Sequence, residues 1–79
     1  MLTQSIYADF NNADPHGRLR LNCVGTVEDL NGLGLELRAG LKVRVHDEEL
    51  EADGEVVFSP EEHIWVATIN WNAIRQFVG

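Results

Sequence analysis

The chain is poor in the residues that announce a function. Its 79 residues include one cysteine, Cys23, so no disulfide can form within the chain. Cys23 stands in an apolar alternation, where the expected role is a buried small hydrophobe. Cations are also scarce, with six Lys+Arg against thirteen Asp+Glu and a formal net charge of −7. Nucleic-acid binding begins with Lys and Arg displacing counterions from phosphates, so a nucleic-acid partner is not expected. An anionic membrane surface is disfavoured for the same reason.

Long apolar runs are missing too. No segment approaches the ~18 consecutive apolar residues of a membrane span. Met1-Leu2-Thr3-Gln4-Ser5 has neither the basic start nor the apolar run of a secretory signal, which makes a reducing cytoplasm the expected location. Catalytic signatures are absent: there is no G-x-S-x-G, H-E-x-x-H, P-loop or C-x-x-C. A domain of this size can hardly enclose a substrate pocket of several hundred cubic ångströms. An enzyme is therefore not expected, and neither is a cofactor.

What is present is a period of two. Ile6, Ala8 and Phe10 alternate with Ser5, Tyr7 and Asp9; Leu19, Leu21 and Cys23 alternate with Arg18, Arg20 and Asn22. Between them, Asn11 to Gly17 is dense in turn residues, so these two runs are expected to pair as a hairpin. From Leu33 to Val45 the apolar residues take every odd position, with Gly40 as the natural corner before a strand at Leu41–His46. Leu50 to Ser59 puts Leu50, Ala52, Val56 and Phe58 on one face and Glu51, Asp53, Glu55 and Val57 on the other, with a bulge expected at Gly54. His63 to Ile69 is apolar on both faces, the pattern of a strand buried on two sides. Trp65 is expected in the core. Asn70 to Ile74 suggests a 3₁₀ turn, and Arg75 to Val78 a last short strand.

The one helical signal is short. Thr26 can cap, Glu28 and Asp29 suit the first turn, and Asn31 or Gly32 would end it. Residues 1–79 thus predict a single small all-β domain of five to six short strands with one short helix near 26–31. Closing the sheet into a small antiparallel barrel would remove its exposed edges.

From Leu35 on, the order resembles an SH3-like barrel. Leu35-Glu36-Leu37-Arg38-Ala39-Gly40 is similar to the arm that enters the second strand there. Glu55–Ser59 and His63–Ile69 correspond to the central hairpin, Trp71–Ile74 to the 3₁₀ turn and Arg75–Val78 to the closing strand. Ile6-Tyr7-Ala8-Asp9-Phe10 is similar to the aromatic and acidic opening strand of peptide-binding SH3 domains. The paired tryptophans of that family are replaced by Gly54-Glu55-Val56, so a proline-rich ligand is not implied. The whole chain also resembles small uncharacterised bacterial proteins, a resemblance that carries no function.

The charge has an address. Up to Arg44 the chain holds five basic and five acidic side chains; beyond it eight acids face Arg75 alone. The acids lie between Asp47 and Glu62. This stretch points to a non-catalytic interaction module whose partner is another protein with a basic surface. The candidate binding residues are Glu49, Glu51, Asp53 and Glu55, with Trp71 and Tyr7 as aromatic anchors and Phe77 as a further one. Lys42 and Arg44 are expected beside Glu51, Asp53 or Glu55, where opposite charges across strands attract. Two alternatives stand, the first a small metal-binding domain that would take calcium or zinc through Glu49, Glu51, Asp53 and His46. Glu49-Leu50-Glu51-Ala52-Asp53-Gly54 imitates the opening of a calcium loop, but Pro60 occupies the place of its bidentate Glu and no helices flank it. His16, His46 and His63 share no zinc-ligand spacing, so no metal ligand is assigned. The other alternative is a structural subunit of a larger assembly.

Overall fold

A computed structural model describes residues 3–77. They form β1 (Gln4–Tyr7), β2 (Leu19–Arg20), the helix α1 (Val24–Leu33), β3 (Lys42–His46), β4 (Leu50–Ser59), β5 (Ile64–Ile69), a 3₁₀ turn (Trp71–Ala73) and β6 (Arg75–Gln76). Val78, expected in the last strand, lies outside the described residues. All six strands share one sheet, in the order β1-β3-β4-β5-β2, with β6 on β4.

The sheet is mixed and is not closed, where the sequence predicted an antiparallel barrel. The reason lies in β1. It pairs in parallel with β3, Tyr7 opposite His46, and not with the run Arg18–Cys23. Parallel neighbours need a crossover of a dozen or more residues, and the stretch between Tyr7 and Lys42 provides it. The expected first hairpin is thus replaced by a smaller one, in which Ala13 bridges Leu19 and Asp14 N donates to Arg18 O at 2.8 Å.

The odd–even pattern decides the core. Ile6, Ala8, Phe10, Leu19, Leu21, Val43, Val45, Ala52, Val56 and Ala67 pack together. Each fully buried Ile, Leu or Val contributes ~1.5–3 kcal/mol. Six such side chains, Ile6, Leu19, Val43, Val45, Val56 and Val66, belong to strands, whereas α1 buries Thr26 alone. Stability therefore resides in the sheet. Val66 and Ala67 are both buried, as expected of a strand covered on two sides. Trp65 is half-buried against the core.

Three local expectations change. Phe58 is 43% exposed and meets Trp65 edge-on at 5.2 Å, while Ser59 is buried. The strand continues past the point where the core can cover its apolar face. Gly54 makes no bulge: it pairs with Val43 on one side and Ile69 on the other. A Cβ there would meet Ile69 Cγ2 and Thr68 O, each at 3.2 Å. Cys23 is half-buried, and its Sγ lies 3.0 Å from Thr26 Oγ1.

The helix is longer than expected. It starts after Cys23, which is extended and makes no side-chain cap, and runs through Asn31 and Gly32. It stops at Gly34, whose φ of 63° is the left-handed conformation glycine tolerates. Gly34 N donates to Asn31 O and Leu35 N to Leu30 O, so these two carbonyls of the last turn are satisfied. Thr26 does not cap. It sits one turn in and turns its hydroxyl to β1.

β5 and β6 lie on the same edge of β4, separated by the 3₁₀ turn. Gly54 faces Ile69 and Glu51 faces Arg75, so three steps along β4 match six along its partners. The turn absorbs the excess and sets Arg75 beside the acidic face.

Candidate functional site

The turn between β3 and β4 is built by Asp47. Its Oδ1 accepts the N–H groups of Glu49 and Leu50, both at 2.8 Å, and Asp47 N donates to Leu50 O at 3.0 Å. An Asx turn of this kind folds the chain back within a few residues. Glu48 and Glu49 are left exposed at its tip.

Aromatic rings line up beside that tip. Tyr7 meets His46 edge-on with ring centroids 6.0 Å apart, and His46 stacks on Phe77 at 4.3 Å. Phe77 is held there because its N–H donates to Glu49 O at 2.8 Å, extending the β4–β6 pairing. The Tyr7 hydroxyl donates to Glu48, 3.2 and 3.3 Å from its two carboxylate oxygens. Desolvation first, and then the Glu48 charge, push the Tyr7 phenol above its ordinary value, so it stays a neutral donor. Glu48, Glu49, Leu50, Ile74, Arg75, Gln76 and Phe77 line an open groove of about 500 Å³.

The outer face of β4 is different. Lys42 pairs with Glu55. Arg44 lies 3.8 Å from Asp53 and 3.9 Å from Glu51; Arg75 lies 3.4 Å from Asp53 and 3.7 Å from Glu51. The register explains the ladder, with Lys42 opposite Glu55 and Arg44 opposite Asp53. Such exposed pairs contribute at most ~1 kcal/mol each, but they cancel charge locally. Glu51, Asp53 and Glu55 are thus engaged by cations, while Glu49 shares the tip with Asp47 and Glu48.

Trp71 belongs to another part of the molecule. Its Nε1 donates to Gly17 O at 2.7 Å, and its ring meets Phe10 edge-on at 6.3 Å. It ties the 3₁₀ turn to the Asn11–Gly17 loop and stays 45% exposed.

A second, smaller recess of about 120 Å³ is lined by Asp14, Pro15, His16, Arg18, Ser59, Glu61 and Glu62. Its polar groups are satisfied internally: Asp14 accepts from His16 N, Arg18 N and Arg18 Nε, and Ser59 Oγ donates to Glu61 at 3.2 Å. Among the described residues, no three His, Cys, Asp or Glu side chains converge as a metal ion would require. His46 Nδ1 instead lies 3.2 Å from Asp47 O.

No protein-family model, curated protein or solved structure matches the chain. Among the described residues, no helix is long and apolar enough to cross a membrane.

The candidate acids are therefore split between a neutralised ladder and an uncompensated tip. Glu48 joins the site beside Tyr7 without having been singled out, and His46, weighed in the sequence only as a metal ligand, joins it as an aromatic neighbour. Nothing local marks His46 as Tyr7's neighbour, because a parallel pairing between distant strands creates that contact. Glu48 carries a weak signal, being an acid in the turn that follows β3.

Proposed function

We propose that the protein is a non-catalytic interaction module that binds a basic surface of another protein, in the cytoplasm, through Asp47–Glu49 and the adjacent rings. One observation carries this reading. Five of the six Lys and Arg side chains, Arg18, Arg20, Lys42, Arg44 and Arg75, form ion pairs elsewhere, and none reaches the tip acids. The charge left over there is available to steer a basic partner. A Lys or Arg arriving at the tip also meets aromatic rings, and an exposed cation–π contact is worth ~0.5–1 kcal/mol. Tyr7 and Phe77 serve as the anchors, and Trp71 takes the structural role.

An SH3-like relationship is part of this proposal. Its support is the order of an arm ending at Gly40, β3, the β4–β5 hairpin, the 3₁₀ turn and β6.

The test uses an immobilised Lys/Arg-rich peptide and the intact chain. Capture should fall between low and high salt, and fall again in the variant Glu48→Gln, Glu49→Gln. The variant Glu55→Gln, which alters the ladder, should bind as the parent does. Capture indifferent to salt and to the tip substitutions would sink the reading.

A further inference from the structure

Arg38 differs from the other five Lys and Arg side chains: among the described residues it makes no ion pair. The corner before β3 accounts for its position. Gly40, with a φ of 88°, turns the chain there. Leu41 N closes the corner on Arg38 O at 3.2 Å, and Gly40 N fastens it to Val56 O at 2.8 Å. Arg38 is left exposed on the arm that enters the corner. Lys42 is exposed as well, but Glu55 engages it.

The surface around Arg38 is concave. Thr3 and Gln4, together with residues 38–42, line an open groove of about 610 Å³, and none of these lining side chains is acidic. β3 holds this groove and the acidic tip apart. Lys42 begins the strand, and Asp47 follows its last residue, His46. At ~3.3 Å per strand residue the two stand ~17 Å apart, so the tip cannot fold into the groove of its own molecule.

We propose, building on the tip as a binding site for cations, that the groove at Arg38 receives the Asp47–Glu49 tip of a second copy, head to tail. Charge and shape argue for this occupant. The tip is a protruding turn whose exposed Glu48 and Glu49 are reached by no Lys or Arg of their own chain among the described residues. The groove is open and carries the unengaged guanidinium, which can meet a carboxylate with two parallel N–H···O bonds. The net charge of −7 acts over a longer range. At about 0.1 M salt, exposed charges more than about 10 Å apart are largely screened, which leaves the groups at the contact to decide. Each copy keeps one groove and one tip free, so the contact is heterologous and can repeat.

Sedimentation of the intact chain at rising concentration is the test. At about 0.1 M salt the average mass should rise above the monomer, and at about 1 M it should return to it. Arg38→Glu should stay monomeric, and so should the variant Glu48→Lys, Glu49→Lys. Mixed, these two variants should associate again, because each groove then meets a tip of opposite charge. Both remain net negative, so overall attraction cannot produce the rescue. A parent chain that is monomeric at every concentration, association that survives Arg38→Glu, or a mixture that stays monomeric would overturn the contact. Arg38→Glu should still be captured by the Lys/Arg-rich peptide as the parent is. Peptide capture by a chain that never self-associates would therefore end this inference alone, whereas capture indifferent to the tip substitutions would end both.

Discussion

The guanidinium of Arg20 forks onto Glu62, its Nε and Nη2 each 2.7 Å from a different carboxylate oxygen. The two residues belong to β2 and to the β4–β5 turn. The remaining Nη1 donates to Asn12 Oδ1 and Ala13 O, both at 3.1 Å. One side chain therefore ties the Asn11–Gly17 loop to the central hairpin. A paired fork also holds direction, because both oxygens must be met at once.

Arg20→Met and Glu62→Gln should each lower the melting midpoint, and the double variant should lose less than the two losses added. The reason is that either single change strands the partner's hydrogen bonds. Thermal melts of the four-member cycle check this. Additive losses would mean that the pair is two independent surface charges.

Acid should loosen the same region. The Asp14 carboxyl is buried, and burial pushes its pKa up, but Arg18 N, the Arg18 guanidinium and His16 N together hold it below the ordinary carboxylate value. The hydrogen bond from Arg20 lowers Glu62 against the same opposing burial. A depressed native pKa contributes stability above the unfolded value, near pH 4, that is lost as pH falls further toward the native one. The folded state should therefore weaken from about pH 4 downward. Asp14→Asn should be less stable at pH 7 by roughly 1.5–3 kcal/mol, the usual range for a hydrogen bond to a charged group. Its acid decline should also be shallower. Denaturant titrations at pH 7 and at steps below pH 4 measure both, and an unchanged slope in Asp14→Asn would refute the assignment.

The sheet's middle was legible because β3 and β4 bury one face steadily and β5 buries both. Val43, Val45, Ala52 and Val56 carry a period of two whose one break, Gly54, stays paired within the sheet. The ladder of Lys42, Arg44, Glu51, Asp53 and Glu55 followed from the same alternation. What escaped was non-local. Ile6 and Ala8 read as a strand, but their partner β3 lies beyond a crossover that no short-range pattern announces. The hairpin expected from Asn11–Gly17 lost to that pairing. Phe58 read as core because it keeps the phase of Val56, yet the core ends before it. The helix outran its signals because Gly34, not Asn31 or Gly32, takes the left-handed turn. In the site, the tip acids were legible as charge, whereas their separation from Glu51, Asp53 and Glu55 depended on where Arg75 returns to β4.

Gly25 offers a contest between two effects of known sign. Within a helix, Ala is favoured over Gly by about 0.8–1.0 kcal/mol, so Gly25→Ala should stabilise α1 by itself. In place, a Cβ at Gly25 would stand 2.7 Å from Tyr7 Cδ1 and 3.0 Å from Tyr7 Cγ. The ring cannot retreat without cost: its hydroxyl is held by Glu48 and its edge rests on His46. Overpacking of this kind costs typically ~1–3 kcal/mol, which equals or exceeds the propensity gain. Gly25→Ala should therefore destabilise the folded chain on balance. It should also disturb the near-ultraviolet signal of Tyr7, while a peptide of residues 23–34 carrying the same change gains helicity. A substitution that raised the melting midpoint of the whole chain would mean that Tyr7 yields freely, and that α1 is not seated by this contact.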